Sequence, residues 1–161
     1  SPGMSGGRKG NVMARCRMIC LYDQSAACDG LVMGTSNRTE TLLGYFTMHG
    51  DGAAAVKPIA HLYKCQVRQL STYLGLPECV LAKAPSADLW AGQTDEGELG
   101  FTYDAADQVL YLLTEECLAV EEIVAQGFDR ATVLAIDGRM KRNAFKLRPA
   151  AVLTSTRVCA R

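Results

Sequence analysis

The apolar run Leu31-Val32-Met33 breaks at Gly34 into Thr35-Ser36-Asn37, and the pattern then changes period. From there Thr39, Leu42, Leu43 and Phe46 recur at helical spacing. A short apolar run of this kind reads as a buried parallel strand. A strand, a small-residue turn and a helix start present free backbone N–H groups and a positive dipole end to an anion. Thr35, Ser36 and Asn37 add neutral donors at the turn, and Glu40, one turn into the helix, is placed to hold a metal ion that a phosphate also binds. That is a nucleotide site in outline. The same residues also make an ordinary helix start, with Ser, Thr or Asn as N-cap and Glu answering the dipole. The local pattern alone does not separate the two.

A chain of 161 residues, 48% hydrophobic and 21% charged, is expected to make one globular domain with a substantial core. Seventeen basic residues balance seventeen acidic ones, so there is no bulk field to attract nucleic acid or an anionic membrane. Apolar runs are all far shorter than a membrane span, and the first residues do not read as a secretory signal. Seven cysteines, at 16, 20, 28, 65, 79, 117 and 159, contain no CxxC and no zinc-ligand spacing, and only two histidines accompany them. They are expected to be free, buried thiols in a reducing cytoplasm, with Cys16 and Cys20 on one helical face.

Residues 1–10 read as a disordered lead-in, 11–148 as the domain and 149–161 as a tail. Asn11 is read as the N-cap of a helix to about Ala27. Within it Arg15 and Arg17 point about 200° apart, so one can serve a ligand and the other solvent. Gly50-Asp51-Gly52 makes a tight turn, and a helix from about Tyr63 to Leu74 stops at Gly75. Val80-Leu81 fits a short strand or a helical turn equally. Residues 84–100, with Pro85 and three glycines, form a long loop of the kind that usually carries function. Thr102 caps a helix to about Glu115 with Ala105, Ala106, Val109, Leu110 and Leu113 inward. Two further helices fit 119–126 and 129–143, the second capped by Asp129, and Pro149 ends the regular structure.

Several ordered motifs accompany the turn. Residues 34–40 read GTSNRTE and are followed by GYFT at 44–47 and GDG at 50–52; Asn11 to Met18 fit GNxxARxRM, with Asn11 at its second position; Leu62-Tyr63-Lys64 with Val67-Arg68 fit LYKxxVR. Farther on stand Pro85-Ser86-Ala87-Asp88-Leu89-Trp90, Gly92-Gln93-Thr94-Asp95-Glu96 and Glu98-Leu99-Gly100 with Tyr103. Over about residues 10–148 this series resembles the ammonia-dependent NAD synthetases, of the N-type ATP pyrophosphatase superfamily, and in particular their C-terminal portion. The resemblance implies an α/β, Rossmann-like adenine nucleotide alpha hydrolase-type fold, a parallel sheet flanked by helices and helix-rich in the part present. It implies a cytoplasmic homodimer that amidates nicotinic acid adenine dinucleotide (deamido-NAD) with ammonia. ATP is the co-substrate and Mg2+ the cofactor; an acyl-adenylate forms, and NAD, AMP and pyrophosphate leave. Such chemistry needs positioned cations and two held nucleotides, and no protein nucleophile.

Carried over by motif, Thr35, Lys64 and Ser86 are expected to contact ATP, Glu40 to bind magnesium, and Asn11, Arg15 and Lys146 to lie near deamido-NAD. Each also has a plain reading: Lys64 and Arg15 as solvated helix charges, Lys146 as a partner for a helix C-terminus. The chain departs from the pattern at Met48, at Ala55 and at Phe145, where relatives carry a lysine, an aspartate and the histidine of an HK pair. The family's SGGxDS pyrophosphate loop is not present: Ser5-Gly6-Gly7 runs into Arg8-Lys9. The motif set is therefore half of an ATP site. A nucleotide-binding or dimerisation module without catalysis is the alternative, and an ATP pyrophosphatase relative acting on another acid is a third.

Overall fold

A computed structural model describes residues 3–90 and 92–151. The helix α6, Tyr103–Thr114, is the centre of the molecule. Thr102 caps it by accepting the Ala105 N–H at 3.2 Å, and Tyr103, Ala106, Val109 and Leu110 are fully buried along one stripe. Against it pack α2 (Arg38–Leu42), α3 (Lys64–Tyr73), α7 (Val120–Ala125) and α8 (Arg130–Asn143). Leu43, Ile123, Val133 and Ile136 close the core from those neighbours. Each such side chain contributes about 1.5–3 kcal/mol by leaving water. Ala105 and Leu113, expected inward, are half-buried at the edge of the stripe.

The other elements are short. Residues 78–81 make the helical turn α4 (Glu78–Leu81) rather than a strand, and α5 (Asp95–Leu99) interrupts the 84–100 loop behind its N-cap Thr94. Asp129 caps α8, and a 3-10 turn, Ala144–Leu147, precedes Pro149. The expected tail begins irregularly at 149–151; its remainder, with Cys159, lies outside the described residues.

One expectation is met only in part and two are corrected. The parallel sheet is reduced, among the described residues, to one parallel bridge between Met33 and Val56. Val32 is 8% exposed but Leu31 and Met33 are 74% and 64% exposed, so only one face of the run is covered, whereas a parallel strand needs both faces covered to persist in a sheet. Second, Asn11 is not an N-cap. The first helix, α1, runs Gly6–Ala27 with Ser5 at its cap, so residues 6–10 are helical rather than a disordered lead-in. Packing overrides the poor helix propensity of glycine here: Leu89 lies so close that a Cβ on Gly10 would meet its Cδ1 at 2.6 Å, and Trp90 lies over Gly6. Third, the thiols among the described residues are free but not buried. Cys16, Cys20, Cys28, Cys79 and Cys117 are exposed and Cys65 is half-covered; α1, which carries Cys16 and Cys20, buries only Gly10 and Ala14.

Candidate functional site

The turn after Val32 is held from both sides. The Gly34 N–H donates to Val56 O at 2.8 Å, and the Asn37 side chain accepts the Glu40 N–H at 2.9 Å. Glu40 returns the bond, its Oε2 accepting the Asn37 N–H at 3.1 Å, which completes a capping box. The plain N-cap reading of this segment is therefore realised, and it leaves Glu40 Oε1 aimed outward. That oxygen meets Lys64 Nζ at 3.0 Å in a mostly covered ion pair.

Lys64 is the first residue of α3 and its direction is fixed from below. The buried Asp107 of α6 accepts the Cys65 N–H at 2.7 Å and the Thr39 hydroxyl at 2.5 Å, while Thr39 Oγ1 accepts the Lys64 N–H at 3.0 Å. One carboxylate thus satisfies orphan donors at the start of α3 and ties α2 to it. Lys64 Nζ also lies 4.9 Å from the centre of the Tyr103 ring.

The 84–100 segment closes over these groups. Asp95, buried, accepts the Tyr103 hydroxyl at 2.9 Å and the Tyr45 hydroxyl at 3.2 Å, and Glu98 accepts Tyr45 at 3.0 Å. Burial foremost, with the charges of Glu40 and Asp95 beside it, pushes the Tyr103 hydroxyl far above its ordinary 10.0. Burial first and Asp95 next do the same at Tyr45. Both phenols are fixed donors, not acids for catalysis. Ser86 Oγ accepts the Asp88 N–H at 3.0 Å, and Gln93 accepts the Leu89 N–H at 2.9 Å.

Two cavities result. One, of about 540 Å³, is lined by Thr35, Glu40, Lys64 and Ser86, bringing together the expected ATP and metal residues from three separate motifs. The other, of about 510 Å³, is lined by Asn11, Lys146, Phe46 and Trp90. They share walls at Thr35, Tyr45, Asp51 and Ala87. Asn11 Oδ1 accepts the Thr47 hydroxyl at 2.7 Å, and Lys146 Nζ donates to Gly44 O at 2.7 Å and Phe46 O at 3.1 Å. Gly44, at φ 62, turns the chain in this wall; a Cβ there would overlap Asn143 at 2.3 Å. Burial, then the charge of Arg139, lowers the Lys146 ammonium below its ordinary 10.5, while Asp51 raises it.

Arg15 is not brought to either cavity. Its Nε donates to Met48 O at 3.2 Å, tying α1 to the loop, and Arg17 lines the second cavity instead. Sequence reasoning missed Asp107 and Asp95. For Asp107 a signal existed: it lies four residues after Tyr103 and three before Leu110, on the apolar stripe of α6.

Among the described residues no three carboxylate, histidine or cysteine side chains converge on one point. Magnesium, however, needs only one or two carboxylates when phosphates and water supply the rest, and Glu40 Oε1 fits that donor type.

The model of the NAD synthase family matches residues 2–150. An NH3-dependent NAD(+) synthetase from Chlorobaculum tepidum is 52% identical over 139 residues, covering 86% of this chain and 50% of the relative. One from Trichlorobacter lovleyi is 53% identical over 141 residues, covering 88% and 52%. Among solved structures, NMN synthetase from Francisella tularensis superposes with a TM-score of 0.80 at 37% identity, over 95% of this chain and 58% of that one. The NH3-dependent NAD synthetase from Campylobacter jejuni gives 0.75 at 34%, over 96% and 58%. The chain spans about half the length of the curated relatives it matches. With the family's motifs lining two adjoining cavities and its model matching nearly the whole sequence, the chain belongs to the NAD synthase family.

Proposed function

We propose that this chain supplies the ATP-phosphate and acid-nucleotide walls of an ammonia-dependent NAD synthetase. The reaction is the ATP-dependent amidation of deamido-NAD through an acyl-adenylate. The observation that carries the reading is the adjoining pair of cavities, one lined by Thr35, Glu40, Lys64 and Ser86 and the other by Asn11 and Lys146, with a common wall. An in-line reaction between two nucleotides needs such a wall, because holding both reactants removes most of the entropic barrier.

In this reading Lys64 turns its ammonium from Glu40 to the ATP phosphates, and Ser86 and Thr35 donate hydroxyls to them. Glu40 would then hold magnesium, which when bound neutralises charge on the departing pyrophosphate. Asp107 keeps the start of α3, and so Lys64, in place during that exchange. The substrate carboxylate lies at the shared wall beside Tyr45, and ammonia attacks there after adenylation. Homodimerisation is drawn from the exposed Val12, Ile19 and Tyr22 on one side of α1, an apolar surface a second copy would cover. Cytoplasmic location rests on the free thiols. No helix among the described residues is long and apolar enough to cross a membrane.

A second reading, nucleotide binding without turnover, is favoured by the Glu40–Lys64 ion pair, which occupies the carboxylate expected to bind magnesium. A coupled assay separates the two, with ATP, magnesium, ammonium and either deamido-NAD or nicotinic acid mononucleotide, run on the 161 residues and on a version extended with a relative's upstream half. The synthetase reading expects turnover of deamido-NAD by the extended form and at least about a hundred- to a thousandfold less by the 161 residues, the loss typical of one preorganised donor. Comparable turnover by both sinks the half-site argument. Turnover by neither leaves only binding.

A further inference from the structure

The wall between the two cavities holds one hydroxyl with two carboxylates reaching for it. Tyr45 lines both cavities, while Asp95 lines the ATP cavity alone and Glu98 the other alone. The Tyr45 hydroxyl lies 3.2 Å from Asp95 Oδ1 and 3.0 Å from Glu98 Oε2. A phenol has one proton to donate, so it serves one of them at a time. The remaining donors are not contested. Asp95 Oδ2 keeps the Tyr103 hydroxyl at 2.9 Å, and Glu98 keeps the Gln93 amide at 3.0 Å. The Tyr45 ring itself is held: its backbone N–H donates to Glu40 O at 2.8 Å, and the Arg139 guanidinium centre lies 5.4 Å from the ring centre. Changing acceptor then takes little more than rotation of the hydroxyl about its C–O bond.

We propose that Tyr45 is a positioning residue that couples the two cavities, its single proton turning to whichever carboxylate faces a bound anion. This rests on the synthetase reading and adds to it a residue that acts through Asp95 and Glu98. Phosphates in the ATP cavity bring negative charge towards Asp95, and the phenol proton on Asp95 eases the repulsion. The acid nucleotide asks the same of Glu98. Either ligand alone takes the proton. With both bound only one is served, so each weakens the other, by the same factor. The contest ends with adenylation. The acid's oxygen bonds to the α-phosphorus, the α–β bridge of ATP breaks, and pyrophosphate carries the charge away. A penalty on the two bound reactants that the adenylate does not bear favours the forward step.

Calorimetric titration of the 161-residue chain tests this, with wild type, Tyr45→Phe and Glu98→Gln side by side. The ligands are deamido-NAD and, with magnesium, an ATP analogue whose α–β bridge is methylene, so that no adenylate forms. Each is titrated alone and with the other saturating. Wild type is expected to bind each nucleotide about three- to tenfold more weakly when the other is present. In Tyr45→Phe each binds alone as weakly as it binds second to wild type, and the other nucleotide adds little. In Glu98→Gln the proton stays with Asp95, so the analogue alone binds as it does to wild type and the coupling is lost. A hydroxyl with a merely structural role would lower affinities and leave the coupling factor unmoved. Coupling of wild-type size in either variant overturns the proposal, and Glu98→Gln, altered at an exposed side chain, decides it should the phenylalanine variant not fold. A wild type that binds both nucleotides independently overturns this inference and leaves the synthetase reading standing. One that binds neither, or only one, overturns the two together.

Discussion

Asp107 is a carboxylate in the middle of a hydrophobic helix face, and it decides where Lys64 points. Removing it strands the Cys65 N–H and leaves the Thr39 hydroxyl without its acceptor. Asp107→Ala is predicted to lose about 1–3 kcal/mol of stability, read from a denaturant midpoint, and to weaken ATP binding without touching the ligand. Asp129 gives the pH dependence. Hydrogen bonds from the Thr132 backbone first, and its hydroxyl second, hold the Asp129 carboxyl below its ordinary 3.8. A depressed carboxylate contributes stability above its unfolded value and loses it as pH falls through the lower folded one. Wild type should therefore lose melting temperature below about pH 4 relative to Asp129→Asn, which keeps an acceptor and does not titrate. Parallel curves for the two would refute this. The caps at Thr102 and Asp129 were legible from the residues alone, since short polar side chains before an apolar period have one local use. For Asp107 only its place on the apolar stripe was legible; its partners were not, because they lie 42 and 68 residues away.

At the scale of elements, α1 is the departure from local rules. Glycines at 6, 7 and 10 read as a lead-in, yet they are helical, with Trp90 of the 84–100 segment laid on Gly6 and Leu89 on Gly10. Propensity is a weak prior that such packing overrides. Gly10→Val should push Leu89 away, expose Trp90 further and red-shift its emission, with a destabilisation of about 1–3 kcal/mol. An unchanged emission spectrum would show that the segment does not rest on Gly10. The apolar stripe of α6 and the stop at Gly75 followed from periodicity, while the sheet did not follow. Leu31-Val32-Met33 has the composition of a strand covered on both faces, but only one face is covered and, among the described residues, it pairs only through the Met33–Val56 bridge.

At the scale of the whole molecule, three motifs spread over about fifty residues of sequence meet in one cavity, and no spacing rule predicts that. Their order could be matched to a family, but their convergence is a product of α6 gathering α2 and α3 around Asp107 and Tyr103. The central claim is that this cavity takes ATP. Thermal unfolding of the 161-residue chain with and without millimolar ATP and magnesium tests it most directly, with Lys64→Ala measured alongside. A ligand that binds only the native state at a hundredfold over its Kd adds about 2.7 kcal/mol. The predicted result is a melting temperature several degrees higher for wild type, by roughly 2–4 °C per kcal/mol, and no rise for Lys64→Ala. A wild-type chain whose melting temperature ignores ATP, or a Lys64→Ala variant stabilised as much as wild type, would contradict it.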